Sequence, residues 1–553
     1  MGVDVLVCNL TRFGDLLQSQ PLMSDLHAGG RSVGLLCLEN FAPATPLLRH
    51  VDQVWTFPGA RFMAELDSSW QGAAADLLAF ARHVRAQARP ARVLNLTPTL
   101  PARLLSRLLA PRPEETLGFG LDAEGFGANT GLWATFLGVA TRQRLNAPFN
   151  IADMFRMTAQ PLPGGAGAAA PGDRRFALRE PPAEALAWAD SFLAAGEGAA
   201  ASYHVAFQLG ASETRRQWPP ERFAALGDQL WRLAGARPVL LGAAAEAPLA
   251  AAYARAAAHP FADAVGATDI PRLAALLRRC RLLVTNDTGT MHLAAGLGVP
   301  SLAFFFATAQ PWDTGPYLAD CCCLEPALAC HPCAFGRACP QGERCRWLPE
   351  AGPVARLALG YLDTGRWEAG LSPELCAAMR VWRTGFDTDG FAAVRCLSGH
   401  EREARSIWMA ELRRFWRQLL DDLGAGSATD GAARAQDGQE PPGAPLPDAP
   451  EAAAALTQGS TLLDALAAAG ALTGKSRQAG QLFLRNCERL QQVLDTCAPL
   501  ASLGAFWREL RQTRGGGMDE LLPCLHILAA HLRRFAARLD RAADGGAMPE
   551  AGF

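Results

Sequence analysis

The segment from Arg281 to Pro300 constrains the fold of this chain more than any other stretch. Leu282 to Thr285 are apolar or β-branched, as a parallel strand covered on both faces requires. Four turn and N-cap residues follow, and helical spacing of apolar residues resumes from Met291 to Leu297. Such a turn directs backbone N–H groups and the positive end of a helix dipole at one point. The pattern predicts an anion site, most naturally for a diphosphate, with an ordinary capped turn as the alternative.

Strand and helix patterns alternate on the N-terminal side of this segment as well. Four strands and intervening helical stretches are predicted first, and a second series begins at His204. Alternation of this kind predicts parallel, doubly wound sheets, here two Rossmann-like halves that face a cleft. The first four predicted strands are Val3–Leu10, Ser32–Leu38, Gln53–Phe57 and Arg92–Leu96.

Composition shifts divide the 553 residues into more than one core. Pro, Gly and Ala are enriched from Pro161 to Asp173, before the second α/β series. Gly, Ala, Pro and Asp are enriched from Gly424 to Pro450, between an amphipathic helical pattern at Arg402–Leu423 and further helical patterns at Ala452–Arg541. The predicted organisation is an N-terminal Rossmann-like domain (1–160), a linker and entry helix (161–200), a second Rossmann-like domain (201–365) with a Cys-rich loop (321–345), a helical extension (366–423), a disordered linker (424–450) and an all-α helical bundle (451–545).

Charge and hydropathy exclude several classes of protein. A net charge of −2 argues against a protein that holds nucleic acid through phosphate contacts. No apolar run approaches the roughly 20 residues of a membrane span, and the N-terminus lacks a basic start, so no secretory signal is predicted. We therefore expect a cytoplasmic protein, peripheral to the inner membrane at most. In that compartment the 15 Cys are expected to be thiols or metal ligands rather than disulfides.

Four short motifs, in order along residues 1 to 360, give the chain a family resemblance. The chain resembles glycosyltransferase family 9, the ADP-heptose:lipopolysaccharide heptosyltransferases with the GT-B fold. The resemblance implies that the first domain binds the acceptor and the second binds the nucleotide sugar. The motifs are Arg12-Phe-Gly-Asp-Leu-Leu17, Leu209-Gly-Ala-Ser-Glu-Thr-Arg-Arg-Gln-Trp-Pro219, Leu241-Gly-Ala-Ala-Ala-Glu246 and Asn286-Asp-Thr-Gly-Thr-Met-His-Leu-Ala-Ala295.

By this resemblance Asp15 is the general base that activates the acceptor hydroxyl. A carboxylate on a turn in the cleft can accept a proton as the sugar carbon is attacked, and such help is worth roughly 10²–10⁴-fold. A side chain that caps the helix beginning at Leu16 is the structural alternative. Gly14 permits a tight turn there and close approach by a ligand.

The resemblance also implies the residues that bind the donor. Arg216 stands where the family commonly has Lys; only Lys475 among the 52 basic residues of this chain is lysine, so we attribute the difference to composition. Arg215 is a neighbouring alternative, and Trp218 is expected to pack rather than to bind. Glu246 is implied for the nucleoside, with a solvated helix start as its alternative. The implied donor-binding set is Ser212, Arg216, Glu246, Asp287, Thr288, Gly289 and His292.

Two further motifs concern metals. Cys330, Cys333, Cys339 and Cys345 lie within sixteen residues, a density that suggests a structural zinc or iron site, with free thiols as the alternative. Members of the family that heptosylate proteins use four Cys to hold iron, and Cys321 to Cys323 could compete as ligands here. Asp387-Thr-Asp389 mimics the metal-binding DxD motif of other glycosyltransferases, but with no strand predicted before it we interpret it as a turn.

The function implied is an inverting, metal-independent transfer of heptose from ADP-heptose to an inner-core sugar of lipopolysaccharide. No cofactor is expected for catalysis. A protein O-heptosyltransferase that uses the same donor is the first alternative, with the helical tail serving recruitment or oligomerisation. The second alternative is a glycosyltransferase-like binding or assembly protein that has lost turnover.

Overall fold

The computed structural model describes residues 2–162, 176–426, 446, 448–514 and 517–544. The predicted linker at 161–173 and the predicted disordered linker at 424–450 therefore lie largely outside the described residues. Within the described part of the chain, no helix combines the length and the apolar character needed to cross a membrane.

The first 162 residues alternate strands and helices, as the sequence pattern predicts. The strands are β1 Val5–Asn9, β2 Val33–Leu38, β3 Gln53–Phe57, β4 Arg92–Asn95, β5 Thr116–Leu121 and β6 Gly127–Thr130. The helices are α1 Phe13–Gln18, α2 Gln20–Ala28, α3 Gly59–Ser68, α4 Trp70–Ala88, α5 Leu100–Leu109, α6 Leu132–Arg142 and α7 Ile151–Met157.

Residues 176–399 form a second α/β series. Its strands are β7 Tyr203–Gln208, β8 Ala236–Leu241, β9 Ala262–Asp263, β10 Cys280–Asn286, β11 Ser301–Phe304, β12 Cys322–Pro326, β13 Met379–Phe386 and β14 Ala392–Cys396. Its helices are α8 Ala183–Leu193, α9 Pro220–Ala234, α10 Ala247–Ala256, α11 Ile270–Arg279, α12 Gly289–Gly296, α13 Pro311–Thr314, α14 Ala351–Thr364 and α15 Pro373–Ala378.

The C-terminal residues are helical. Their helices are α16 Ala404–Ala425, α17 Ala449–Gly470, α18 Arg477–Thr496, α19 Ala501–Arg514 and α20 Met518–Asp544.

The two sheets place β1 and β10 at their centres. β1 pairs in parallel with β2 and β4, and β2 pairs with β3. In the second sheet the order is β14-β13-β12-β11-β10-β7-β8-β9, parallel from β12 to β9. β1 is buried throughout, and every residue of β10 except Arg281 is buried, as expected for strands covered on both faces. The two α/β sheets with an all-α region confirm the predicted GT-B fold class.

Two predicted boundaries and the setting of one motif need correction. The chain divides into two compact units, residues 1–116 with 149–399, and residues 117–148 with 400–553. The segment 117–148 thus groups with the C-terminal helices and not with the predicted domain 1–160. The predicted helical extension 366–423 is wrong for its first part, because β13 and β14 extend the second sheet antiparallel to β12. Asp387-Thr-Asp389 is a turn as predicted, but it does follow a strand, since it joins β13 to β14.

A buried ion pair holds α7 in the first unit. Arg156, whose side chain is fully buried, contacts Asp153 at 3.0 Å and Asp25 on α2 at 2.9 Å. Asp153 also accepts hydrogen bonds from the Tyr317 hydroxyl at 2.7 Å and from the Ala392 backbone N–H at 2.7 Å. This network fastens α7 to both α/β series, because Asp25 belongs to the first and Tyr317 and Ala392 to the second.

We expect Asp153→Ala to lower the free energy of unfolding of the first unit by about 3–5 kcal/mol, because the change leaves the Arg156 charge buried with only Asp25. Asp190→Ala, which breaks the exposed pair with Arg279, should leave stability unchanged. Chemical denaturation of both variants checks this. Equal stability of the two would show that the buried network adds nothing.

Candidate functional site

The carboxyl end of β10 forms the predicted turn into α12. Thr288 is the N-cap of α12, with extended backbone angles and no side-chain cap hydrogen bond. Thr288 and Gly289 are partly exposed, whereas Asp287 and His292 are buried. The first backbone N–H groups of an α-helix have no partner within the helix, and the helix dipole favours negative charge there. The turn can therefore accept an anion from its exposed side.

Arg216 lies directly beside this turn. One Nη of its guanidinium forms an ion pair with Asp287, and the other donates to the Ser212 hydroxyl at 3.0 Å. Both side chains of the ion pair are over nine-tenths buried. The remaining donor, Nε, is buried without a hydrogen-bond partner among the described residues. The structure thus brings three of the implied donor-binding residues together and leaves one buried cationic donor available.

Asn286 fixes the Arg216 segment against β10. Its side-chain oxygen accepts from the Trp218 backbone N–H at 2.8 Å, and its Nδ2 donates to the Leu209 carbonyl at 2.8 Å. Trp218 is fully buried and stacks near Phe304, with ring centroids 4.5 Å apart. Trp218 therefore packs, as the sequence suggested. Asn286 was interpreted there only as turn chemistry, and its spacing gives no signal of these two long-range contacts.

Glu246 lies at the same edge of the sheet, beyond β8. It accepts from the Ala243 backbone N–H at 2.8 Å, as a residue at a helix start does, and from Gln208 at 3.3 Å. Gln208 in turn accepts from the Thr290 hydroxyl at 2.9 Å, so Glu246 is linked to the first turn of α12. Gly210 leaves room for its carboxylate, because any Cβ there would overlap Oε1. Gln208 and Thr290 were not among the predicted site residues.

Asp15 lies in the first turn of α1, which begins at Phe13 and not at Leu16. Asp15 therefore does not cap this helix; Arg12 occupies the N-cap position. The Asp15 side chain is partly buried, and its carbonyl accepts a hydrogen bond from Asn9 at 3.1 Å. Asn9 ends β1, so Asp15 stands at the carboxyl end of the central strand of the first sheet.

Two glycines bring the α1 turn against the α12 turn. A Cβ on Gly14 would lie 2.8 Å from His292 Cδ2 and 3.4 Å from the Gly289 Cα. A Cβ on Gly289 would lie 2.6 Å from the Phe13 ring and 3.4 Å from the Gly14 nitrogen. Gly14 was expected to admit a ligand, but the close approach that it permits is to α12. This contact places Asp15 one residue from the wall of the implied donor site.

His292 is enclosed by this contact. Burial lowers the pKa of its imidazole to about 4, and the nearby Asp287 carboxylate opposes the shift only in part. His292 is therefore neutral near pH 7. Its Nδ1 is buried and has no hydrogen-bond partner among the described residues. A neutral His with a free ring nitrogen can donate one hydrogen bond to a phosphate oxygen.

The four clustered cysteines do not form a metal site in this arrangement. Among the described residues, no three His, Cys, Asp or Glu side chains are placed to hold a metal ion. The sulfurs instead contact the loop backbone: the Cys345 thiol donates to the Glu343 carbonyl, and Cys339 accepts from the Glu343 N–H. Burial, together with the neighbouring thiols, raises the pKa of Cys333 and of Cys345.

Protonated thiols are poor metal ligands, since the thiolate is the binding form. Metal binding itself displaces the protons of thiol ligands, so the zinc or iron at Cys330, Cys333, Cys339 and Cys345 stays a prediction. Cys321 to Cys323 are not alternative ligands, because all three are buried and two of them belong to hydrophobic cores. The Cys-rich loop does reach the site, since Arg215 donates to the Arg337 carbonyl at 2.9 Å.

The fold is a pair of α/β sheets, and the turn between β10 and α12 lies at the carboxyl end of the central strand of the second sheet. The sequence model of glycosyltransferase family 9 (heptosyltransferase) matches residues 176–343. The match covers much of the second α/β series, and it confirms the resemblance that was stated from the motifs. Comparison with curated proteins gives no significant match.

Solved structures of the same kind are similar to this chain at low identity. A family 9 glycosyltransferase of Veillonella parvula is 23% identical, covers 59% of this chain and 87% of its own, and has a TM-score of 0.48. E. coli ADP-heptose lipopolysaccharide heptosyltransferase II is 19% identical, covers 57% of this chain and 88% of its own, and has a TM-score of 0.41. The iron-containing dodecameric glycosyltransferase TibC of enterotoxigenic E. coli is 12% identical, covers 56% of this chain and 60% of its own, and has a TM-score of 0.29.

The buried His292 predicts an acid-dependent loss of stability. Its folded pKa of about 4 lies below the unfolded value of about 6.5, so the unfolded state takes up the proton first. Stability is unaffected above pH 6.5, falls as the pH drops towards 4, and loses up to about 3 kcal/mol from this group. In His292→Gln the pH dependence over this interval should shrink, whereas His83→Gln, an exposed control on α4, should keep it. Urea denaturation from pH 4 to 7 measures both.

The glycine contact makes a separate prediction. Gly14→Ala should destabilise the first unit by about 1–3 kcal/mol, because the added methyl overlaps His292 although alanine itself favours a helix. Gly352→Ala on α14 is the matched control, since no atom lies within 4 Å of its Cβ position. Calorimetry compares the two transition temperatures. A Gly14→Ala protein as stable as the control would mean that the two turns do not touch.

Proposed function

We propose that this protein is an inverting glycosyltransferase that moves heptose from ADP-heptose to an inner-core sugar of lipopolysaccharide. The observation that carries the proposal is the packing of the Asp15 turn against the Thr288–His292 turn through Gly14 and Gly289. The implied base from one lobe and the implied diphosphate cradle from the other thereby belong to a single site.

The donor half uses three kinds of phosphate contact. The first are the N–H groups of the first turn of α12, where Thr288 and Gly289 are partly exposed. The unpartnered Nε–H of Arg216 and the neutral His292 ring supply two further donors from the buried side. Fixed donors of this kind stabilise negative charge as it develops on a departing diphosphate. No divalent ion is needed for this step in the proposal.

Asp15 supplies the acceptor half. A carboxylate at the carboxyl end of β1 can remove the proton of an acceptor hydroxyl while that oxygen attacks the anomeric carbon. Attack from the face opposite the diphosphate inverts the configuration in a single displacement. Glu246, linked to α12 through Gln208, is assigned to the nucleoside end of the donor.

Asp15→Asn tests the base. Because the amide cannot accept the proton, we expect kcat to fall roughly 10²–10⁴-fold while ADP affinity is unchanged. Asp76→Asn, an exposed substitution on α4, should leave both constants as in the wild type. Mass spectrometry of reactions with ADP-heptose and an inner-core acceptor gives the rates, and titration calorimetry gives the affinity for ADP.

Comparing a core-sugar acceptor with a protein acceptor in this experiment distinguishes the proposed function from its two alternatives. Transfer to a protein acceptor, or to this chain itself, and none to the core sugar would identify a protein O-heptosyltransferase. A wild-type protein that binds ADP but transfers to neither acceptor would identify a binding or assembly protein without turnover. If Asp15→Asn transfers heptose as fast as the wild type, the assignment of the base is wrong.

A further inference from the structure

An open cavity of about 500 Å³ lies away from the donor turn, lined by Arg49, His50, Leu178, Arg179 and Glu180. The Leu178 backbone N–H donates to the carbonyl of Gly296, the last residue of α12, at 2.7 Å. Since α12 has eight residues with a rise of about 1.5 Å each, this end is roughly 12 Å from the turn at Gly289. The cavity is thus separate from the implied donor site.

Backbone hydrogen bonds fix the main chain at both arginines of the cavity, whose side chains are exposed. The buried Gln20 amide brackets the Arg49 backbone, accepting from its N–H at 2.7 Å and donating to its carbonyl at 2.9 Å. The Arg179 N–H donates to the Leu47 carbonyl at 2.7 Å. Arg49 comes from the first α/β series and Arg179 from the segment that enters the second. The cavity therefore has a positively charged wall from each lobe.

The guanidinium groups of Arg49 and Arg179 have no ion pair with any residue that the structure describes. The cavity's one carboxylate, Glu180, is already neutralised, because Arg278 contacts both of its oxygens at 2.9 and 3.0 Å. Asp52, the other nearby acid, accepts the Val33 N–H at 2.7 Å. That hydrogen bond leaves the Asp52 carboxylate charged, so Arg49 and Arg179 together leave an excess of one positive charge around one open volume.

The pKa of His50 is affected by the same positive charges. It adopts a left-handed backbone conformation with φ of 60°, which is uncommon for a residue other than glycine. Its ring stacks on His27 with centroids 4.3 Å apart. Burial and then the neighbouring His27, Arg49 and Arg179 lower the pKa of His50, and Asp52 opposes them only weakly.

We propose that this cavity binds a phosphate monoester group, held between Arg49 and Arg179. Two guanidinium forks match the near-dianionic charge of such a group at neutral pH and can each make paired hydrogen bonds to its oxygens. The volume suits a phosphorylated sugar as well as free phosphate, since small-molecule sites span roughly 300–1,000 Å³. A ligand bound there would connect the two lobes through one arginine from each.

Calorimetric titration of the full-length protein with inorganic phosphate, glucose 6-phosphate and glucose tests the site. We expect both phosphates, but not glucose, to bind, and Arg49→Gln or Arg179→Gln to weaken binding about 10- to 100-fold. Glu180→Gln should strengthen it, because a nearby carboxylate is removed. Arg232→Gln, an exposed arginine on α9, is the matched control. Glucose 6-phosphate binding much more tightly than phosphate would identify a sugar phosphate as the ligand.

Arg216→Gln separates this site from the donor site. Phosphate binding lost in Arg216→Gln and retained in Arg49→Gln and Arg179→Gln would overturn the proposal.

A second experiment measures the site directly: NMR of selectively labelled histidines should show phosphate raising the pKa of His50, because the bound anion offsets the charges of Arg49 and Arg179. An unchanged His50 titration at saturating phosphate would equally contradict the site. Neither result depends on glycosyl transfer, so the failure of the proposed function would leave this test intact.

Discussion

The contact between Gly14 and Gly289 is the constraint on which the rest of the site depends. Two backbones approach to van der Waals distance there because neither residue carries a Cβ. The contact joins the end of the first lobe's central strand, through α1, to the end of the second lobe's central strand, through α12. It also covers His292, and the covering is what removes water from that ring and keeps it neutral. This close contact thus brings the two turns together and also keeps the His292 ring unprotonated near pH 7.

Periodicity in the sequence predicts those elements whose burial is continuous along the chain. The bounds of β3 agree with the prediction at both ends, and β10 extends the predicted strand by a few residues. β13 was missed because Arg380 and Arg383 interrupt its apolar pattern. In the structure Arg380 donates to the Pro326 carbonyl, and Arg383 pairs with Asp320. Partners this distant in sequence satisfy the polar residues of a strand and cannot be inferred from the strand itself.

The same distinction applies to the site. Local motifs suffice to select Ser212, Arg216 and Asp287, and the structure brings all three into contact. The residues that hold this group together do so through hydrogen bonds between segments distant in sequence. Asn286 accepts from the Trp218 N–H, and Gln208 bonds to both Thr290 and Glu246. The four cysteines show the opposite limit of sequence reasoning. Their spacing is dense enough for a metal, yet the sulfurs of Cys339 and Cys345 contact the backbone of Glu343 in the same loop, which the spacing does not predict.

Arginine at position 216 fits this geometry in a way that the composition of the chain alone does not explain. Its three nitrogens have different surroundings. One Nη pairs with Asp287 and the other donates to Ser212, whereas Nε is buried without a hydrogen-bond partner among the described residues. A lysine ammonium is a single point charge, and Asp287 beside it would compete directly with a bound phosphate. The planar guanidinium can keep Asp287 while still presenting Nε–H to an anion. Arginine at this position therefore holds Ser212 and Asp287 at once through the two Nη groups of one planar cation, a geometry that a lysine ammonium does not offer.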